Sequence, residues 1–166
     1  MTDAKPDRPD NPGVIAPPPL IALATLALGL LLDWLLPAYV LTVLLSFWTR
    51  AVIAVLLLAA GAALGFSGVR MFQARKTNVP PWQPALNLAM GGVYAHMRNP
   101  MYVGMALLTA GVAFLLASDW TLVLLIPAAL LLHYGVVLRE ERYLDGKFCD
   151  EYRRYKASTP RYGWPV

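Results

Sequence analysis

Four long apolar segments constrain the fold of this chain more than any other feature. They cover residues 19–36, 51–69, 101–118 and 120–138, and each is close to the roughly 20 residues needed to cross the hydrocarbon core of a bilayer. In lipid such a segment must be helical, because unpaired backbone groups have no water to bond. The sequence therefore predicts an all-α integral membrane protein with about four transmembrane helices.

The composition supports this fold class. Hydrophobic residues make up 58% of the 166 residues and charged residues 14%, whereas soluble domains carry about 25% charged residues. The length allows a single domain. We predict a disordered, proline-rich tail over residues 1–17 and a membrane domain over residues 18–166. A cleavable signal peptide is not expected, because no small-residue cleavage site follows the first apolar segment.

The basic residues are divided unequally between the two ends of the predicted helices. Of the 14 Lys and Arg residues, only Arg50 falls at one end, and the other 13 lie in the tail, after the second apolar segment or in residues 139–166. The positive-inside rule then places both termini and the loop 73–100 in the cytoplasm. We expect the inner membrane of a prokaryote, with membrane lipids rather than nucleic acid at the basic residues.

The stretch between the first two apolar segments, residues 37–49, is apolar but short and is interrupted by Pro37. We interpret it as an interfacial turn with Trp34, Tyr39 and Trp48 at the level of the headgroups. An additional half-length span over residues 37–49 is left open.

Two polar stretches fall on the predicted cytoplasmic side. Loop 73–100 is far longer than the usual connection of about 4–6 residues, and it contains several proline and glycine residues suited to folding over something. Residues 139–166 are predicted to continue the last membrane helix and to stop at Thr159-Pro160.

Gly61 and Gly65 lie four residues apart inside the second apolar segment. This small-xxx-small spacing lets two helix backbones approach closely. We predict a role in helix packing rather than in chemistry.

The last apolar segment contains an ionisable residue, His133, and ends at two adjacent carboxylates, Glu140 and Glu141. Ionisable groups within a membrane helix raise a functional hypothesis by default. A hydrogen bond from His133 to a neighbouring helix is an equal alternative. The two carboxylates are suited to a cationic ligand or to ribose hydroxyls, and a solvated ring of charge at the membrane surface is the alternative.

The most specific string in the chain runs from Gly92 to Gly104 and includes Arg98-Asn99-Pro100 and Tyr102. Proline suits the first turn of a helix because its missing N–H would be unpaired there anyway. The helix N-terminus and Arg98 can hold an anionic group. The residues alone thus predict a cytoplasm-facing pocket for a polar ligand.

These motifs resemble those of the membrane methyltransferases that include isoprenylcysteine carboxyl methyltransferase and the phospholipid N-methyltransferases. The resemblance covers about residues 77–161. It rests on Gly92-x-Tyr94, Arg98-Asn99-Pro100-Met101-Tyr102, Glu140-Glu141, Phe148-Cys149-Asp150-Glu151-Tyr152 with Tyr155, and Pro160-Arg161. Two positions differ from the family pattern: Asn99 stands where the eukaryotic-type motif has histidine, and Cys149 where glycine is common, which suggests that this turn is built differently here.

The resemblance implies transfer of a methyl group from S-adenosylmethionine to a lipophilic or small hydrophobic acceptor that enters from the bilayer. It implies cofactor binding by Tyr94, Arg98, Asn99, Pro100, Tyr102, Glu140, Glu141, Tyr152 and Tyr155. The candidates for a catalytic residue are His133 and Arg161, and no metal is expected. For the acceptor we expect a lateral opening near the third and fourth helices, lined by Gly104, Ala106, Gly111 and His133.

Two other functions remain open from the sequence. An NADPH-dependent membrane reductase of the sterol or steroid type also carries an Arg-x-Pro-x-Tyr element, but the cofactor's phosphate would favour basic residues where this chain has Glu140 and Glu141. A non-enzymatic membrane scaffold would not need the Tyr, Arg and Glu residues of this hairpin. The identity of the acceptor, the catalytic base and the oligomeric state are not predicted.

Overall fold

The predicted all-α architecture is confirmed by a computed structural model, which describes residues 10–163. Over these residues the chain forms helices and turns without strands. The helices are α1 (Pro18–Leu35), α2 (Val40–Leu44), α3 (Phe47–Ala74), α4 (Pro100–Leu116), α5 (Asp119–Leu132) and α6 (Leu138–Ser158). A 3-10 turn, Gly92–Ala95, precedes α4, and a π-helical turn, His133–Val137, joins α5 to α6 without a break.

Three helical stretches are long and apolar enough to cross a membrane: α1, α3 and the continuous run Asp119–Ser158. Helix α4 is apolar and has 17 residues, which is at the lower limit of about 17–25 residues for a spanning helix. The protein is therefore an integral membrane protein. Its helix bounds lie within a few residues of the predicted segments.

Local sequence signals set where these helices begin. Pro18 and Pro100 occupy the first position of α1 and α4, where a missing N–H costs nothing. Ser46 and Ser118 precede α3 and α5, and each side-chain oxygen accepts a backbone N–H from the first turn, at 3.2 and 3.3 Å. Such caps satisfy donors that a helix leaves unpaired.

Helices α3 and α4 pack closely through glycine. A Cβ atom at Gly61 would lie 2.7 Å from the carbonyl oxygen of Gly104, and one at Gly104 would lie 2.8 Å from that of Gly61. A Cβ at Gly111 would meet Leu58 of α3 at 2.8 Å. The expected packing role of Gly61 is confirmed. A Cβ at Gly104 would also lie 3.2 Å from the backbone nitrogen of Gly65, although a Cβ at Gly65 itself would meet nothing within 4 Å. The expectation that Gly104 and Gly111 line a lateral opening is wrong, because both face α3.

Two aspartates connect the helices at the end of the bundle where α1 ends and α5 begins. Asp33 accepts a hydrogen bond from Ser118 and another from the Trp120 N–H at 3.2 Å. Asp119 accepts the N–H groups of Val40 and Leu41, both at 2.9 Å, at the start of α2. Residues 37–49 thus contain the five-residue helix α2 and the first three residues of α3, and no half-span. Trp34, Tyr39 and Trp48 are all exposed, as expected for an interfacial turn.

Residues 10–17, the end of the tail predicted to be disordered, lie against the last helix. The Ile15 N–H donates to the carbonyl oxygen of Gly135 at 3.2 Å, Arg139 donates to that of Gly13 at 2.8 Å, and Lys147 pairs with Asp10 at 2.6 Å. Residues 1–9 and 164–166 lie outside the described residues. The segment 10–17, called the N-terminal arm below, is part of the folded domain.

Helix α6 continues α5 as predicted, with one interruption. Cys149 has φ 46° and ψ −120° inside the helix, a conformation that suits glycine and is costly for other residues. The backbone at Cys149 has the positive φ that a glycine adopts readily. That this turn is built differently from the glycine-containing turn of the family stays a prediction.

Candidate active site

A polar cleft lies between the long loop, the start of α4 and the start of α6. Its empty volume is about 860 Å³, open solvent at its mouth included. The loop folds over it as expected. The Thr77 hydroxyl accepts the N–H groups of Leu86 and Asn87, at 2.9 and 3.2 Å, and the Tyr143 hydroxyl accepts that of Ala85 at 3.1 Å. These bonds hold the loop 73–100 over the cleft, and it is called the roof loop below.

Most of the residues assigned to cofactor binding from the sequence come together in this cleft. The lining includes Tyr94, Arg98, Asn99, Tyr102, Glu140, Glu141, Tyr152 and Tyr155. The ninth, Pro100, is buried in the first turn of α4 and does not line the cleft. The two catalytic candidates do not line it either.

Glu141 lies at the centre of an ion-pair network. Its carboxylate is 2.8 Å from an Arg98 nitrogen, accepts two bonds from Arg161 at 2.8 and 2.9 Å, and lies 3.8 Å from Lys156. The residue is 5% exposed. Burial alone would raise the pKa of the Glu141 carboxyl, but the bond from Arg161 and the charges of Arg98, Arg161 and Lys156 together lower it. Glu141 therefore stays ionised, and Arg161 is its partner.

The same region attaches the C-terminal segment to the start of α4. Arg98 donates its backbone N–H to Pro160 at 2.9 Å and its Nε to Thr159 at 3.0 Å. Asn99 donates both its backbone N–H and its side-chain amide to the carbonyl oxygen of Arg161, each at 3.2 Å. Asn99 thus holds the C-terminal segment in place through two donors, its backbone N–H and its side-chain amide.

Glu140 has a different environment from Glu141. It lies past the apolar part of the last membrane helix, and Tyr102 donates its hydroxyl to the Glu140 carboxylate at 2.5 Å. Among residues 10–163 no Lys or Arg forms an ion pair with it. Burial raises the pKa of Glu140 to about 7, with the Tyr102 bond opposing the rise and the charge of Glu141 adding to it. A carboxyl with this pKa exchanges a proton near neutral pH.

Aromatic side chains form much of the remaining wall. The Tyr155 hydroxyl donates to the carbonyl oxygen of Tyr94 at 2.6 Å, and the Phe72 and Tyr94 ring centroids are 5.4 Å apart. Burial raises the pKa of Tyr152 to about 12 and raises the pKa of Tyr94 further. These tyrosines are neutral at physiological pH and line the cleft.

A second, apolar groove lies between α1, α4 and α5. Ile21, Ala106 and Leu125 line it, one from each helix, and His133 lies at its cleft end. The His133 ring is hydrogen-bonded to the Tyr162 hydroxyl, with Nδ1 and the oxygen 2.7 Å apart. His133 therefore belongs to this groove and not to the polar cleft. Tyr102 lines both cavities.

The sequence did not predict four residues of the cleft: Phe72, Tyr143, Leu144 and Pro12. Tyr143 follows Glu140 by three residues, so helical spacing could have placed both on one face. Phe72 lies four residues after Gly68 on α3, so helical spacing places these two residues on one face of that helix. Pro12 carries no comparable signal, because its position depends on the N-terminal arm.

The sequence of the chain was compared with those of known protein families. The sequence model of a family described as phospholipid methyltransferase matches residues 49–151, which is more than half of the chain. The chain belongs to the phospholipid methyltransferase family. No curated protein and no solved structure matches the chain significantly.

The match to the phospholipid methyltransferase family confirms the resemblance seen in the sequence. It extends from the start of α3 through the roof loop and α4 to Glu140 and Glu141. Tyr152, Tyr155 and Arg161 lie beyond it. Membership of this family makes the protein a membrane methyltransferase.

Proposed function

We propose that the protein transfers a methyl group from S-adenosylmethionine, held in the polar cleft, to a lipophilic acceptor held in the apolar groove. The observation that carries this proposal is the position of Tyr102, which lines both cavities. A polar cofactor that enters from water and an apolar acceptor that enters from the bilayer would therefore meet beside Tyr102. Methyl transfer depends mainly on holding the acceptor atom in line with the methyl group.

The residues of the cleft fit the cofactor. Glu140 is a carboxyl without an ion-pair partner and suits the sulfonium or the ammonium group. The ring faces of Tyr94 and Tyr152 suit an adenine or a cation. When bound, the cofactor supplies an already activated methyl carbon, and the roof loop excludes the water that would compete for it.

The groove supports a lipophilic acceptor. Its walls are mostly apolar side chains of α1, α4 and α5. Helix α1 and the run that contains α5 are long and apolar enough to span a membrane, and α4 is a shorter apolar helix. An acceptor can enter it sideways from the bilayer without crossing the polar cleft. An isoprenylcysteine, an aminolipid, a quinone-like molecule and a small hydrophobic thiol are the candidate classes.

The orientation that we propose places the cleft in the cytoplasm of a prokaryotic cell. Within residues 10–163 every Lys and Arg except Arg50 lies at the cleft end of the bundle. This distribution favours the cytoplasmic side. The acceptor would then come from the inner leaflet of the membrane.

Calorimetry on the detergent-purified protein tests the cofactor. S-adenosylmethionine and its demethylated product should bind with a stoichiometry of about one, and NADPH should not bind, because the cleft offers an unpaired carboxyl where a phosphate would need cations. Mass spectrometry of the same preparation should detect a co-purified lipid. Preferential binding of NADPH would replace this proposal by the reductase.

A further inference from the structure

Tyr102 and Glu140 form a hydrogen-bonded pair where the polar cleft meets the apolar groove. Tyr102 reaches both cavities, whereas Glu140 lines only the cleft. The hydroxyl of Tyr102 already donates its proton toward the Glu140 carboxylate at 2.5 Å. Tyr102 therefore lies between the groove and the Glu140 carboxylate.

We propose that this pair removes a proton from the methyl acceptor, so that the acceptor is a nucleophile with a hydrogen on its attacking atom, such as a thiol, an amine or a hydroxyl. This inference rests on the proposed function and narrows its substrate class. An acceptor that is already a carboxylate, as in isoprenylcysteine carboxyl methylation, needs no proton acceptor.

The step balances in atoms and charge. The electron pair of the acceptor heteroatom forms the new bond to the methyl carbon, and the electron pair of the broken methyl–sulfur bond remains on sulfur. The proton of the heteroatom passes to the Tyr102 oxygen as the Tyr102 proton passes to Glu140. One positive sulfonium and one negative carboxylate are consumed together, which favours the reaction where charges are poorly solvated.

Glu140 is the carboxyl suited to this role because its surroundings leave it without a fixed cation. Arg98, Lys156 and Arg161 all lie against Glu141. The titratable groups that face Glu140 are phenols and one carboxylate: Tyr102 from α4, Tyr94 from the turn before it, Tyr152 and Glu141 from α6, and Tyr162 from the C-terminal segment. An approaching carboxylate would meet the ionised Glu140, which has no cation to offset its charge, with the same sign of charge, which is unfavourable.

Three probe acceptors that share a dodecyl-length alkyl chain and differ in their reactive group test the inference. The purified protein in nanodiscs is given S-adenosylmethionine carrying a labelled methyl group and one of three probes, dodecanethiol, dodecylamine or dodecanoate. We expect the thiol or the amine to be methylated at least about tenfold faster than the carboxylate. With the thiol, kcat/KM should rise with pH and level off above about 7, as Glu140 of the free enzyme ionises.

Two variants separate proton transfer from structure. Tyr102→Phe keeps the ring and should lower kcat at neutral pH by about 10²-fold, within the range for general acid–base catalysis. In both Tyr102→Phe and Glu140→Gln the rate should keep rising with pH, because only the thiolate then reacts. Infrared spectra should show a protonated carboxyl band that titrates near pH 7 and is absent in Glu140→Gln.

The outcomes distinguish this inference from the proposed function. Equal methylation of dodecanoate, or an unchanged pH profile in Tyr102→Phe, overturns the proton transfer and leaves the methyltransferase in place. Absence of both cofactor binding and transfer to any probe overturns the proposed function and this inference with it.

Discussion

Glu140 and Glu141 are consecutive in the chain, yet a tyrosine hydroxyl holds one carboxyl and three cations surround the other. Two neighbouring residues on a helix point about 100° apart, so one turns to Tyr102 and the other to Arg98 and Arg161. The pKa values of the two carboxyls consequently move in opposite directions. Such a divided pair is typical of sites where one carboxyl exchanges protons and the other only carries charge.

Removing the buried anion should destabilise the fold. Glu141→Gln leaves Arg98 and Arg161 without their counter-charge, and breaking such a buried pair costs about 3–5 kcal/mol. The matched control is Asp145→Asn, which removes an exposed partner of Arg153 and should cost less than about 1 kcal/mol. Thermal unfolding in detergent measures both. An equal effect of the two changes would contradict the buried network.

Glu140 should make the protein less stable as the pH rises. Its pKa is about 7 in the folded protein against an ordinary value of 4.5, so the folded state binds more protons between these pH values than the unfolded state does. The free energy of unfolding then falls with rising pH across that window. Glu140→Gln should unfold at a higher temperature than wild type at about pH 8, and the gap should narrow toward about pH 5. A gap that is independent of pH would contradict the assignment.

Cys149→Gly should stabilise the protein. The positive φ of Cys149 strains any residue with a Cβ atom, and the relief should exceed the entropic cost of glycine and leave a gain of about 1 kcal/mol. Cys149→Ala is the control, because it removes the exposed thiol but keeps the Cβ, and it should bring no gain. Thermal unfolding under reducing conditions measures both variants. A gain of equal size in both would attribute the effect to the thiol instead.

Filling the apolar groove should block the acceptor and spare the cofactor. Ala106→Leu adds bulk in the groove, so methyl transfer should fall while affinity for S-adenosylmethionine stays within about threefold, or roughly 0.65 kcal/mol. The control is Ala63→Leu, on an exposed position of α3. Calorimetry and transfer assays on both variants decide the matter. Full activity in Ala106→Leu would remove the groove from the reaction.

The helices could be predicted well because their signals are local. Apolar length fixes the spans, and Pro18, Ser46, Pro100 and Ser118 fix their starts. The membership of the cleft could be predicted because the motif residues lie at helix ends that an antiparallel bundle brings together. The prediction of the cofactor came from the resemblance to the family, because the spacing of the residues alone did not identify a ligand.

What could not be predicted depends on contacts between distant segments. Spacing places Gly104 and Gly111 on one face of a helix but does not say which neighbour that face meets, and it is α3. The division of roles between Glu140 and Glu141 depends on the rotation of α6. The N-terminal arm is held by Gly135, Arg139 and Lys147, which no pattern in residues 10–17 indicates.

The π-helical turn His133–Val137 has a consequence for how this site could arise in evolution. Its hydrogen bonds reach five residues back instead of four, so it holds one residue more than a regular turn would. Without that residue, every side chain of α6 would be rotated by about 100° around the helix axis. Glu140 would no longer face Tyr102, and Glu141 would leave its arginines. A single-codon insertion in a plain membrane helix is therefore enough to set the phase on which both carboxyls depend.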